Sequence, residues 1–175
     1  GSLSLLKTGV VGKLTDTCGN LVNIAEQETD RLIRLINDLL DLAKIDARKL
    51  PLSKKWIPLS ELIKPCLDSL QGLARTANVA LVPGDELPPI EVNMDKDRIL
   101  QVLTNLISNA IKFSPKNSTV TVSVVVDTSD RLVFSVTDQG KGIAPEDQEL
   151  IFQKFRQATN AENPLVKGTG LGLAI

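Results

Sequence analysis

The stretch NLISNAIKFSP, Asn105 to Pro115, reads as the end of an amphipathic helix with two distinct stripes. Leu103, Leu106, Ala110 and Phe113 recur at three- and four-residue steps, so they share a face expected to pack on a core. Asn105, Asn109 and Lys112 recur at the same kind of step and form a polar stripe beside the first. Asparagine is a mediocre helix former, so two of them on one face ask for a reason. Two readings stay open on the residues alone. The stripe is either a solvated helix edge, or a row of amide oxygens and an ammonium facing a polyanion and its metal.

Apolar residues make up 42% of the 175-residue chain and charged residues 23%, the balance of one ordinary soluble domain or of a small domain with a helical appendage. The net charge of −1 gives no sign of nucleic-acid binding. Cys18 and Cys66 are far apart and have no histidine beside them, so neither a zinc site nor a disulfide framework is expected, which fits a reducing compartment. No apolar run approaches the length of a membrane span. The chain holds no histidine and no tyrosine, so acid–base work must fall to carboxylates, lysines or a group supplied from elsewhere.

From Thr15 to Ala47 runs the longest helical pattern, with Asp16 and Thr17 as expected caps. A heptad falls on Leu21, Ala25, Glu28, Leu32, Leu35, Leu39 and Leu42, widened by Ile36 and Ala43 as in a helical bundle. Roughly 30 residues of helix span about 45 Å, so a second copy of the chain is the simplest partner for that face. A linker and first short strand follow over Lys49 to Ile57, then a helix over Leu59 to Ala77 that Pro65 is expected to distort. Val79 to Val82 and Pro89 to Asn93 read as strands, and Asp95 as the cap of the helix that carries the asparagines.

Val120, Val122, Val124 and Val126 fall on alternate positions, with Thr121 and Ser123 between the first three, turn at Thr128 to Asp130, and return with Leu132, Phe134 and Val136 on one face. Counting on by two puts Asp138 on that same buried face, which is costly unless it is paired. A capping aspartate and a binding aspartate both satisfy that condition. DQGKGI follows, Asp138 to Ile143, where Gly140 and Gly142 permit close approach or a sharp turn. Pro145 to Phe155 reads as a short helix with Phe152 and Phe155 on one side, and Arg156 to Val166 as a polar loop. Gly168, Gly170 and Gly172 then precede an apolar stretch, an arrangement that offers free backbone N–H groups to phosphate.

These motifs (N-x-x-x-N-A-x-K-F, D-x-G-x-G, F-x-x-F and G-T-G-L-G-L, in that order) resemble the ATP-binding domain of sensor histidine kinases. The wider superfamily includes gyrase, mismatch-repair and heat-shock chaperone ATPases. RLIRLINDLLDLAKID, Arg31 to Asp46, resembles the second helix of the kinases' dimerisation and phosphotransfer domain. The resemblance implies an α+β chain. Residues 1–50 would be a truncated dimerisation domain, and residues 51–175 an incomplete two-layer α/β sandwich.

It also implies roles. Asn109 would give its oxygen to Mg2+, and Asn105 would help hold that metal or a bound water. Lys112 would reach the ATP phosphates, with Phe113 near the adenine, and Asn105 and Lys112 are the expected catalytic pair. Asp138 would accept from the adenine amino group, with Gly140, Gly142 and Ile143 around the base. Gly168, Thr169, Gly170, Leu171 and Gly172 would bring a lid to the phosphates, its base anchored in the core by Phe152 and Phe155. The superfamily's hydrolases carry a glutamate at the place of Asn105, so the chain is expected to favour transfer over hydrolysis.

The family's acceptor histidine lies on a first dimerisation helix, and further strands follow its glycine-rich box, so the resemblance implies a chain cut at both ends. It implies a homodimer through residues 15–47, a response-regulator receiver domain as partner, and a cytoplasmic location, with any membrane attachment outside the chain. The rivals are a non-catalytic nucleotide-binding module and an ATP-hydrolysing enzyme.

Overall fold

The computed structural model describes residues 2–7, 12, 14–84, 86–129, 131–156 and 170–175. Two compact units divide between Leu50 and Pro51. The first holds a short helix α1 (Ser2–Lys7) packed on a long helix α2 (Asp16–Asp46). The cap of α2 is Thr15, not the expected Asp16 or Thr17: its hydroxyl accepts from the Cys18 N–H at 3.3 Å. An N-cap needs extended backbone at the residue before the first helical one, and Thr15 supplies it at φ −66°, ψ 157°. Of the heptad residues only Leu42 is buried, while Leu21, Leu32 and Leu39 are exposed.

The second unit runs β1 (Lys55–Pro58), α3 (Ser60–Ala77), β2 (Ala80–Pro83), β3 (Glu91–Met94), α4 (Lys96–Phe113), β4 (Thr119–Val126) and β5 (Leu132–Thr137). Two 3-10 turns follow, Pro145–Asp147 and Leu150–Phe152. β1 and β3 pair antiparallel as a separate ribbon. In the other sheet β4 is central, parallel to β2 and antiparallel to β5. Alternation along β4 sends Val120, Val122 and Val124 inward, where α3 and α4 form the second layer of an α+β sandwich.

α3 brings Leu62, Ile63, Cys66, Leu67, Leu70 and Ala74 to that core. The helix runs through Pro65 unbroken. Pro65 lies on the solvent side near the start, where the Glu61 carbonyl that loses its partner is open to water. Cys66 packs toward α4, its Sγ 3.9 Å from Thr104 Oγ1, and burial pushes its thiol up.

α4 is rotated relative to the expected stripe. Leu103, Ile107, Ala110 and Ile111 are buried, while Leu106 and Phe113 are exposed. The periodicity sets the spacing of the buried face but not its phase. Ile107 and Ile111 extend the same helical face to the other side, and the core settles on the more apolar centre.

Asp95 caps α4 by accepting from Arg98 N–H at 3.2 Å, and it also takes the Ser53 N–H at 2.7 Å. Those backbone bonds, the Ser53 one foremost, hold its carboxyl below the usual range. A depressed carboxyl stabilises the fold above its unfolded pKa of about 4, and that contribution is lost as pH falls through the lower folded value. Asp95→Ala is therefore expected to lower the melting temperature at neutral pH. The gap to wild type should close as the pH is taken below about 4; a gap that stays constant would refute the assignment.

Candidate functional site

On the helical wheel of α4 the asparagines do not adjoin the core face directly. Val102, Leu106 and Phe113 lie between, at 43%, 36% and 47% exposure, so an apolar strip borders the half-buried Asn105 and Asn109. Isolated exposed apolar residues need no explanation. Three in a line beside two carboxamides make a surface that suits a flat apolar group attached to a polar one. Lys112 is exposed, its Nζ 5.1 Å from the centre of the Phe113 ring.

The C-terminal end of α4 meets the loop that follows β5. A Cβ on Gly140 would stand 2.8 Å from the Phe113 carbonyl oxygen and 2.8 Å from Asp138 Oδ1, so only glycine allows this approach. Asp138 Oδ1 accepts from the Gly140 N–H at 2.7 Å and bends the loop over the helix end. Gln139 Oε1 accepts from the Thr119 N–H at 2.9 Å and ties the loop to β4. Gly142 needs its glycine for conformation, at φ +72° with open space around it. Ile143 beside it is exposed.

Asp138 itself is exposed, against the expectation that it lies on the buried face. The last paired residues are Thr121 and Thr137, so Asp138 falls just past the ladder, where the alternation of the strand no longer dictates direction. Phe152 and Phe155 are also exposed, at 61% and 64%, and do not anchor anything in the core. Two 3-10 turns are too short to present a helical face, and Phe155 sits at φ +61°. The anchoring there is done by backbone: Phe155 N–H donates to Gly170 O at 2.8 Å.

Gly168 and Thr169 lie outside the described residues, as does most of the expected polar loop after Arg156. Gly170 turns at φ +69°, and Leu171 is buried. Gly172 lies under Asn105, whose Nδ2 donates to the Gly172 carbonyl at 3.1 Å. α4 therefore touches the loop after β5 at one end and the glycine-rich turn in its middle.

Sequence reasoning missed Ser114, Gln139 and the Asn105–Gly172 pairing. Ser114 closes α4 as its C-cap, and its hydroxyl is buried with no hydrogen-bond partner among the described residues. A buried unpaired hydroxyl costs about 1–3 kcal/mol. Ser114→Ala is expected to raise stability by about 1 kcal/mol, measured by urea unfolding. A loss of stability would mean that the hydroxyl has a partner in solution.

Two family models match this chain. The His Kinase A (phospho-acceptor) domain matches residues 1–48, and the Histidine kinase-, DNA gyrase B-, and HSP90-like ATPase matches residues 94–175. Sensor histidine kinase WalK of Bacillus subtilis is 35% identical over 161 residues, covering 91% of this chain and 26% of WalK. Histidine protein kinase DivJ of Caulobacter vibrioides is 34% identical, covering 100% of this chain and 29% of DivJ. The chain thus spans little more than a quarter of these relatives. Among solved structures, full-length ShkA in complex with AMPPNP superposes with a TM-score of 0.76 at 28% identity, covering 98% of this chain and 35% of ShkA.

Proposed function

Because the chain belongs to the sensor histidine kinases, we propose that residues 51–175 bind ATP with Mg2+ against the asparagine face of α4. The intact protein then moves the γ-phosphoryl group to a histidine and on to an aspartate of a response-regulator receiver domain. The chain contains no histidine, so the acceptor comes from outside these 175 residues. Residues 1–50 serve as a dimerisation unit: the exposed leucines of α2 supply an apolar face for a second copy. The work is placed in the cytoplasm, where ATP is available.

One observation carries the nucleotide reading. Two motifs far apart in sequence converge on α4, which carries the third: the Asp138–Gly142 loop meets the Phe113 carbonyl and the glycine-rich turn meets Asn105, on the helix whose asparagine stripe runs beside an apolar strip. A nucleotide needs an apolar platform for its base, an acceptor for an amino group, and oxygen and ammonium groups for its phosphates. Val102, Leu106 and Phe113 suit the first, Asp138 the second, and Asn109 and Lys112 the third.

The donor set also suits the metal. No group of histidine, cysteine or acidic side chains able to hold a metal occurs among the described residues. A neutral amide oxygen from Asn109 is enough for an ion that keeps phosphate and water as its other ligands. Bound there, Mg2+ neutralises charge on the phosphates. The chain's own residues position the nucleotide and offer no carboxylate at Asn105 to activate water, which favours transfer over hydrolysis.

The test is transfer of label from γ-phosphate-labelled ATP to the intact protein. Label stable to alkali and lost in acid, as a phosphoramidate is, is expected. ADP binding without any such label would favour a non-catalytic nucleotide-binding module, and phosphate release without label would favour a hydrolase.

A further inference from the structure

Asn105 makes a contact that a metal ligand does not need. Its Nδ2 donates to the carbonyl of Gly172, 67 residues away, at 3.1 Å. The carboxamide lies flat over that glycine: a Cβ on Gly172 would be 3.4 Å from Asn105 Cγ and 3.5 Å from both Nδ2 and Oδ1. The same turn is fixed from its other side. Gly170 O accepts from Phe155 N–H at 2.8 Å, and a Cβ on Gly170 would come within 2.8 Å of the Arg156 carbonyl oxygen. Ala174 and Ile175 N–H groups return to the Leu171 carbonyl at 2.9 and 3.2 Å, winding the turn toward a helix.

We infer that Asn105 is a positioning residue that acts through Gly172. Its N–H group pins the glycine-rich turn to α4, and that hold, rather than ligation of magnesium, is its contribution to nucleotide binding. The inference rests on the nucleotide reading above and deepens it, because the turn it holds is the one expected to face phosphate. A carboxamide has a donor end and an acceptor end, and here the donor end is committed to a main-chain carbonyl.

The two roles separate on one substitution. Magnesium accepts a carboxylate oxygen at least as readily as an amide oxygen, so Asn105→Asp keeps a metal ligand. The same change removes the donor and sets a negative charge against the Gly172 carbonyl, so it breaks the latch.

ADP binding to the intact protein, measured by calorimetry with Mg2+ and with a chelator, reads the difference. Asn105→Ala and Asn105→Asp are both expected to weaken binding by about fivefold or more, and the loss in Asn105→Ala is expected to be the same factor with and without the metal. Amide hydrogen exchange in the peptide 170–175 should quicken in both. Val124→Ala, in the core of β4, supplies a destabilised control and is expected to retain wild-type affinity. Wild-type affinity in Asn105→Asp, or a loss that vanishes with the chelator, overturns the inference and leaves the nucleotide reading intact. A loss of affinity in Val124→Ala equal to that in Asn105→Ala overturns it too, since the effect would then be general instability. A wild-type protein that binds no ADP overturns the nucleotide reading and the inference with it.

Discussion

Asp138→Ala is expected to weaken ADP binding by about a hundredfold. Asp138 stands just past the end of β5, exposed, in the loop that crosses the end of α4. Its Oδ1 takes the Gly140 N–H at 2.7 Å, and Gly140 in turn rests against the Phe113 carbonyl. Alanine removes two things at once: the carboxylate proposed to accept from an exocyclic amino group, and the bond that shapes the loop around it. A hydrogen bond to a charged group is worth about 1.5–3 kcal/mol, and relaxation of the loop adds to that. Asp138→Asn separates the two losses. The amide oxygen still shapes the loop, while the amide N–H presents a donor where adenine has a donor and guanine an acceptor. The wild-type preference for ADP over GDP should shrink or invert in Asp138→Asn. An unchanged ratio between the two nucleotides would remove Asp138 from the base-binding role.

The order of elements around this site was legible because each has a local cause. Alternating valines made β4, and Asp95 capped α4. Periodicity gives spacing but not phase, which is why Leu106 and Phe113 were expected in the core and were found at its edge. The error is informative, since the same rotation lays an apolar strip beside Asn105 and Asn109. Asp138 was placed on the buried face by counting along a strand that had already ended. Phe152 and Phe155 were assigned by spacing to a helix, but the backbone takes two tight turns there. The Asn105–Gly172 bond has no local signal at all. It depends on where a turn late in the chain comes back to a helix formed far earlier, and no window of sequence contains both. Motif order marks a candidate site, whereas the division of labour proposed within it depends on tertiary approach.

Asn109→Ala is expected to leave metal-free ADP binding close to wild type and to cut phosphoryl transfer by about a hundredfold or more. Asn109 is half-buried one turn after Asn105, on the side of α4 that borders the apolar strip. The strip and Asp138 are untouched by the substitution, so the proposed platform and acceptor for the base are kept. What is lost is the oxygen proposed to hold Mg2+ against the phosphates. The gain in ADP affinity on adding Mg2+ should therefore fall in this variant. Asn109→Asp restores an oxygen ligand at the cost of a negative charge near the phosphates, so it should recover part of the metal response and less of the transfer rate. The contrast with Asn105 is the point of leverage: aspartate is expected to rescue position 109 in part and position 105 not at all. Two asparagines one helical turn apart, identical in chemistry, then differ because one faces a metal with its oxygen and the other faces a carbonyl with its nitrogen. Equal responses of the two positions to aspartate would mean that they share one role.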